Sequence, residues 1–229
     1  KAATMTEQLK KIIVSEEIEV ASRLSDFGFK REGAAKICEG ALHGRNLKSG
    51  LQPKTAEGLL KYIFGVEALR VVLLSSATVE YEVFSKGNIE GVFDPTNGRK
   101  LMFQMVDQAC GSNDPQPKSK IGDGKKRLIE ESRSGFLFPE WEEEERRREA
   151  RVVALSDAEC WYFIMSIDDN DVVCCELSRP KSVDDEKFDG FHERILIFKY
   201  GEFEPSDSDR KSSGDDDDIF EIKPTIQKK

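Results

Sequence analysis

The chain has 229 residues and a net charge of −9, with 38% hydrophobic and 34% charged side chains, enough apolar material to bury a core in one large domain or two small ones. No apolar run is long enough to span a bilayer, residues 1–14 lack the layout of a secretory signal, and the charge lacks the strongly basic footprint of a dedicated nucleic-acid binder. A soluble protein without a membrane partner is expected, cytoplasmic or, in a eukaryote, nuclear.

Residues 6–27 carry Leu9, Ile12, Ile13, Ile18, Val20, Ala21 and Leu24 at close to a 3.6-residue period, with Glu16, Glu17 and Glu19 between them, which predicts a helix. Ser15 followed by two acids also suits the start of a second helix, since serine caps the first turn and carboxylates favour its positive end. Gly28 breaks the run, and residues 30–42 set Ala34, Ala35, Ile37, Cys38 and Leu42 on one side of a further short helix. Helix, glycine-containing break, helix is a spacing shared by helix-turn-helix motifs and ordinary bundles. Past a polar loop at 44–53, residues 55–64 and 66–74 predict one kinked helix or two abutting ones around Gly65. Leu59, Leu60, Ile63, Leu69, Val72 and Leu73 are its expected buried side. Residues 78–84 alternate Val79, Tyr81 and Val83 with Glu80 and Glu82, the period of a half-exposed strand. Turns at 86–88 and 95–98 flank a strand at 89–93, and 101–106 fits either strand or helix. Residues 5–110 are thus read as a mainly helical part with a small β meander.

Residues 111–135 read as a basic flexible linker: Gly, Ser, Asn and two prolines with no apolar period, then Lys125, Lys126 and Arg127. Residues 1–135 carry 21 Lys/Arg against 18 Asp/Glu, a balance of +3, whereas 136–229 carry 14 against 26, or −12. A basic partner-facing surface is therefore expected on the first half alone. Its candidate phosphate contacts are Lys118, Lys120, Lys125, Lys126 and Arg127, joined by Arg45 and Lys48 from the 44–53 loop; such contacts weaken with salt. A GxxxxGK[ST] phosphate loop is absent from the sequence.

In residues 136–229, Phe136, Leu137, Phe138 and Trp141 form an apolar anchor before an exposed helix at 142–149 laced by Glu143–Arg147 and Glu144–Arg148 pairs. Residues 151–155 suggest a strand. Residues 160–167 are apolar at nearly every position, which fits a strand covered on both faces. Asp168, Asp169, Asn170 and Asp171 supply turn chemistry, and 172–177 is the returning strand of a hairpin that Pro180 ends. Residues 192–200 add a further strand, 205–218 are acidic enough to form a mobile loop, and 219–226 fit an edge strand. The five cysteines match no metal-binding or disulfide spacing and read as buried free thiols. The expected class is α+β: a helical N-terminal half, and an antiparallel sheet built mainly from the C-terminal half.

For chemistry, Glu221 and Lys223 stand two apart on a predicted strand, so both side chains project from one face, with Asp218 just upstream. This resembles the last part of the PD-(D/E)xK nuclease signature. The resemblance implies a Mg²⁺-dependent endonuclease: Asp218, Glu221 and Glu176 would bind metal, and Lys223 would steady the attacking water or the scissile phosphate. An upstream aspartate of that signature is not identifiable. His43 and His192 have no nucleophile elbow or metal-ligand spacing. The leading reading is a nucleic-acid-associated protein of this nuclease-like type. The other reading is a non-catalytic protein–protein interaction module, without a cofactor, whose acidic C-terminal half meets a basic partner. A homo-oligomer is compatible with both.

Overall fold

Residues 11–86, 89–131 and 158–205 are those described by the structure, a computed structural model. In chain order they form β1 (Ile12–Val14), α1 (Glu17–Asp26), α2 (Arg31–Asn46), α3 (Ala56–Leu74), β2 (Glu82–Lys86), β3 (Ile89–Asp94), β4 (Arg99–Met105) and α4 (Asp123–Glu131). After these come β5 (Glu159–Ile167), β6 (Val173–Pro180), β7 (Val183–Asp184), β8 (Lys187–Phe188) and β9 (Phe191–Phe198). Seven strands make one sheet in the order β1-β9-β6-β5-β4-β3-β2, and β7 pairs with β8 in a separate hairpin. The expected α+β class holds, with the helices α1–α3 in the N-terminal half. The sheet is mixed, because β1 runs parallel to β9 and β4 parallel to β5, while its other neighbours are antiparallel. Its strands come from both sides of the 111–135 segment.

The hairpin of β5 and β6 lies at the centre. Asp168 builds its turn: the Oδ1 atom accepts the N–H groups of Asn170 at 2.9 Å and Val172 at 2.8 Å, while Asp171 takes a left-handed φ of 62°. Both faces of β5 are covered, as its unbroken apolar run demands. Trp161, Phe163 and Met165 point with Leu101, Phe103, Cys175 and Ile195 into the core beneath α1–α3. Cys160, Tyr162 and Ile164 point the other way, against Leu128 and Ile129 of α4, Val183 of β7 and Phe188 of β8. The result is three layers: helices, sheet, and a thinner cover of α4, the 106–121 loop and the β7–β8 hairpin.

Three expectations change. Residues 12–14 are not the start of a helix but the edge strand β1. Their β-branched side chains and free backbone groups complete a ladder beside β9, and a tertiary partner outweighs the local 3.6-residue period. The helix begins only at Glu17. Second, α3 runs unbroken through Gly65, where the missing side chain admits the Phe103 ring: a Cβ there would fall 2.5 Å from it. Third, the segment expected as a linker is bonded to the sheet and ends in α4. Asp107 Oδ1 accepts the Gln116 N–H at 2.8 Å, Val106 bridges Pro117, and Arg194 Nη1 donates to the Asn113 carbonyl at 3.0 Å. These bonds answer the segment's polar backbone without secondary structure of its own. The expected features at 136–149, 151–155, 206–218 and 219–226 lie outside the described residues. No helix among the described residues is long and apolar enough to cross a membrane.

Candidate functional site

Of the candidate metal ligands and catalytic groups, Asp218, Glu221 and Lys223 lie outside the described residues, so only Glu176 has a described environment. It stands on β6 facing the thinner layer, with no exposed surface. Its Oε1 accepts Arg194 Nε at 2.9 Å and Ser178 Oγ at 2.8 Å; its Oε2 accepts Arg194 Nη2 at 2.7 Å and the Cys110 N–H at 2.7 Å. Two donors on each oxygen saturate the carboxylate. The residue's work here is structural: it anchors the 107–116 loop and neutralises a fully buried guanidinium. Among the described residues no group of three His, Cys, Asp or Glu side chains is placed to hold a metal ion.

The candidate phosphate contacts are spread over α2, the loop after it, the 106–121 loop and α4. Arg45 is buried, its Nη1 donating to Asp171 Oδ1 at 2.5 Å across from the central hairpin. Lys48 reaches Glu57 at 3.1 Å, beside Lys61 at 2.9 Å; hydrogen bonds from Lys61 and Lys48 hold the Glu57 carboxyl down at about 2. Lys120 pairs with Glu186 at 2.5 Å, and Lys118 contacts the Ile167 carbonyl at 3.5 Å. Lys125 turns inward to Gln104, and its neighbours on α4 are the half-buried Lys126 and the exposed Arg127. Counting charges along the chain missed this dispersal, because most of these cations face acids or carbonyls that are distant in sequence.

What the fold does expose is the outer side of α3. Leu59 and Ile63, expected in the core, are 58% and 48% exposed, and Val71 and Leu74 are 61% and 44% exposed. The reason lies in the neighbours. Val66, Leu69 and Leu73 face the sheet, whereas Gly40 and Gly44 let α2 lie close along Ala68 and Leu60. These two contacts use up two sides of the cylinder. At 100° per residue the third carries Leu59, Ile63, Glu67, Arg70, Val71 and Leu74, an outward row about 22 Å long. Val83 continues it on the edge strand β2: it pairs with the core residue Val92, shares its helix-side face, and is 57% exposed. Arg70 is bound back to the sheet, donating to Glu90, to the Phe84 carbonyl at 3.0 Å and to the Gly91 carbonyl at 3.2 Å. Glu67 is exposed and makes no ion pair with a described residue. The signal was in the sequence. A helix apolar on every side belongs in the middle of a protein, yet among the described residues this one has only two neighbours, α2 and the sheet.

A second concave feature of about 570 Å³ opens between α1, the start of α2 and the end of β9, floored by Val20, Leu24, Leu196 and Ile197. Part of its charged rim is internally held, Arg31 lying 4.8 Å over the Phe198 ring and 2.6 Å from Glu202, and Lys199 Nζ donating to the Ser15 carbonyl at 3.0 Å. Comparison of the chain with family models, curated proteins and solved structures finds no match.

Proposed function

We propose that this chain is a protein–protein interaction module that receives an amphipathic helix of a partner along α3. The supporting observation is the apolar row Leu59, Ile63, Val71 and Leu74, continued by Val83 and left open by both neighbouring layers. Rows of this size and spacing dock helices through contacts at i, i+4 and i+7. Glu67, which has no ion-pair partner among the described residues, favours a partner helix with Lys or Arg midway along its apolar side. That agrees with the net charge of −9, which attracts basic partners.

The test places a photo-cross-linking amino acid at position 63 and, as a control, at the exposed Lys36 of α2. The partner captured from position 63 is then purified and titrated by calorimetry. The expected result is binding weakened about tenfold or more, roughly 1.4 kcal/mol, by Ile63→Glu. Equal cross-linking from both positions would overturn the reading. Capture of a second copy of this chain, with a mass in solution that rises with concentration, would replace the foreign helix by a homodimer. Cleavage of DNA or RNA that requires Mg²⁺ or Mn²⁺ and is lost in Lys223→Ala would replace it by the nuclease built on Asp218, Glu221 and Lys223.

A further inference from the structure

The strand β1 is short, and its register with β9 ends at Val14 opposite Ile195. β9 runs on to Phe198, so Leu196, Ile197 and Phe198 have β6 on one side and, among the described residues, no strand on the other. The groove of about 570 Å³ lies along this open stretch. It touches both Leu196 and Ile197, of which only Ile197 belongs to the helix-side core, so it follows the edge of the strand rather than one face of the sheet. The facing wall is α1, where Glu17, Ala21 and Ser25 fall at i, i+4 and i+8 along one line of the helix. All three are exposed, and the small side chains of Ala21 and Ser25 keep the groove open. The rim charges are unequally committed. Arg31 and Lys199 are held as described above, and Glu202 also accepts the Lys199 N–H at 3.2 Å. Glu17 stands 3.8 Å from Arg31 and is 85% exposed. Glu16 and Glu32 make no ion pair with a described residue, and of the rim cations Lys30 alone shares that condition.

We propose that this groove binds an extended segment of a partner protein, with alternating aliphatic and basic side chains, as a short strand added to the open edge of β9. An unpaired strand edge is a template for another chain, whose main-chain hydrogen bonds supply affinity while pockets for alternate side chains supply selection. At about 3.3 Å per residue the three open residues span about 10 Å, and the volume falls in the range of ligand sites. Alternation divides the added strand into two sets of side chains. Aliphatic ones settle on the floor of Val20 and Leu24. The intervening ones reach the rim, where Glu16, Glu17 and Glu32 outnumber Lys30 and so favour Lys or Arg. An acidic segment would meet the same three carboxylates as like charges. The groove is lined by α1, the start of α2 and the end of β9, not by α3, so this site and the apolar row on α3 stand or fall separately.

The test titrates the full chain into a fluorescein-labelled probe peptide, Lys-Val-Arg-Ile-Lys-Val with blocked ends, and follows anisotropy at low salt. Saturable binding is expected, about tenfold or more tighter than that of a Glu-Val-Glu-Ile-Glu-Val probe and weakened by added salt. Ala21→Trp and, separately, Ser25→Trp fill the groove from exposed positions and should each weaken binding about tenfold or more. Glu16→Lys combined with Glu32→Lys should do the same, whereas Ile63→Glu on α3 should leave binding unchanged. Methylating every second backbone nitrogen of the probe should weaken binding in one of the two registers, the one whose N–H groups face β9. Absence of saturation up to about 1 mM overturns the proposal. So does equal affinity for the acidic probe, or unchanged affinity in both tryptophan variants with circular dichroism like the original. Equal binding by both methylated probes and the original overturns the strand addition. A mass in solution that rises with concentration, and no longer does so in Ala21→Trp, would put a second copy of the chain in the groove in place of the peptide.

Discussion

At the scale of single residues, the buried charges are those whose partners decide stability. Glu176 and Arg194 are almost wholly desolvated, so removing one strands the other. Glu176→Ala should lower the unfolding free energy by about 3–5 kcal/mol, read from urea denaturation. The double replacement Glu176→Met with Arg194→Leu should cost less than that single change, since an apolar pair leaves no uncompensated charge. A double mutant as unstable as the sum of the singles would refute this account. Asp94 gives a pH signature. Burial raises its proton affinity, but the backbone and side-chain donors of Asn97 and the Arg99 guanidinium outweigh it and hold the carboxyl below its ordinary range. A depressed folded value means that its contribution is present above the unfolded pKa of about 3.9 and is lost as pH falls through the folded value. Urea midpoints measured from pH 7 to pH 3 should therefore fall less steeply below about pH 4 in Asp94→Asn. An unchanged slope would remove Asp94 from the acid limb.

At the scale of elements, α3 shows how one helix can require opposite things of two glycines. A Cβ at Gly58 meets nothing within 4 Å, so Gly58→Ala should stabilise by about 0.5–1 kcal/mol through helix propensity alone. At Gly65 the same gain is opposed by a Cβ placed 2.5 Å from the Phe103 ring, on a face where α3 cannot retreat without unpacking Leu69. Overpacking of that kind costs about 1–3 kcal/mol, so Gly65→Ala should be destabilising, with part of the loss recovered in combination with Phe103→Leu. The outer side of the same helix behaves differently. Ile63→Glu should change the unfolding free energy read from urea denaturation by no more than about 0.5 kcal/mol, because the residue faces solvent rather than core. A large loss would mean that the row is packed in solution.

For the molecule as a whole, the two-faced sheet predicts which groups are sealed. All five cysteines are free; four are buried, and Cys110 is half-buried with its Sγ donating to the Cys175 carbonyl at 3.1 Å. Burial pushes the Cys160 thiol up to about 11 against the opposing Lys100 and Arg179 charges, and burial followed by the neighbouring Cys175 thiol and Asp168 charge brings Cys174 to about 11 as well. The native chain should react slowly with an aromatic disulfide reagent at pH 8, and all five thiols should titrate at once in denaturant. Rapid reaction of several thiols in buffer would show that the layers open readily. The overall charge of −9 tells a different story from its distribution. The positive surplus of the first half is met by second-half acids in pairs such as Arg45–Asp171, Arg23–Glu193 and Lys120–Glu186, while its exposed surface includes the apolar row of α3.

Local patterns were enough for the α+β class, the central hairpin with its aspartate turn, the strand at 191–198 and the start of α2, because in each of these the side-chain period, the turn residues and the final burial agree; α2 itself runs on to Asn46, through Gly44 and Arg45 that were expected in a loop. Tertiary structure alone decided the rest. Ile12–Val14 became a strand only because β9 offered a free edge, and the parallel pairing of β4 with β5 joins segments more than fifty residues apart. Leu59 and Ile63 are outward because α3 has two neighbours among the described residues where its composition suits three. Lys125 is inward because the ladder of β3 with β4 ends at Met102, short of Gln104. Periodicity records which residues can be buried; the number and placement of packing partners settles which ones are.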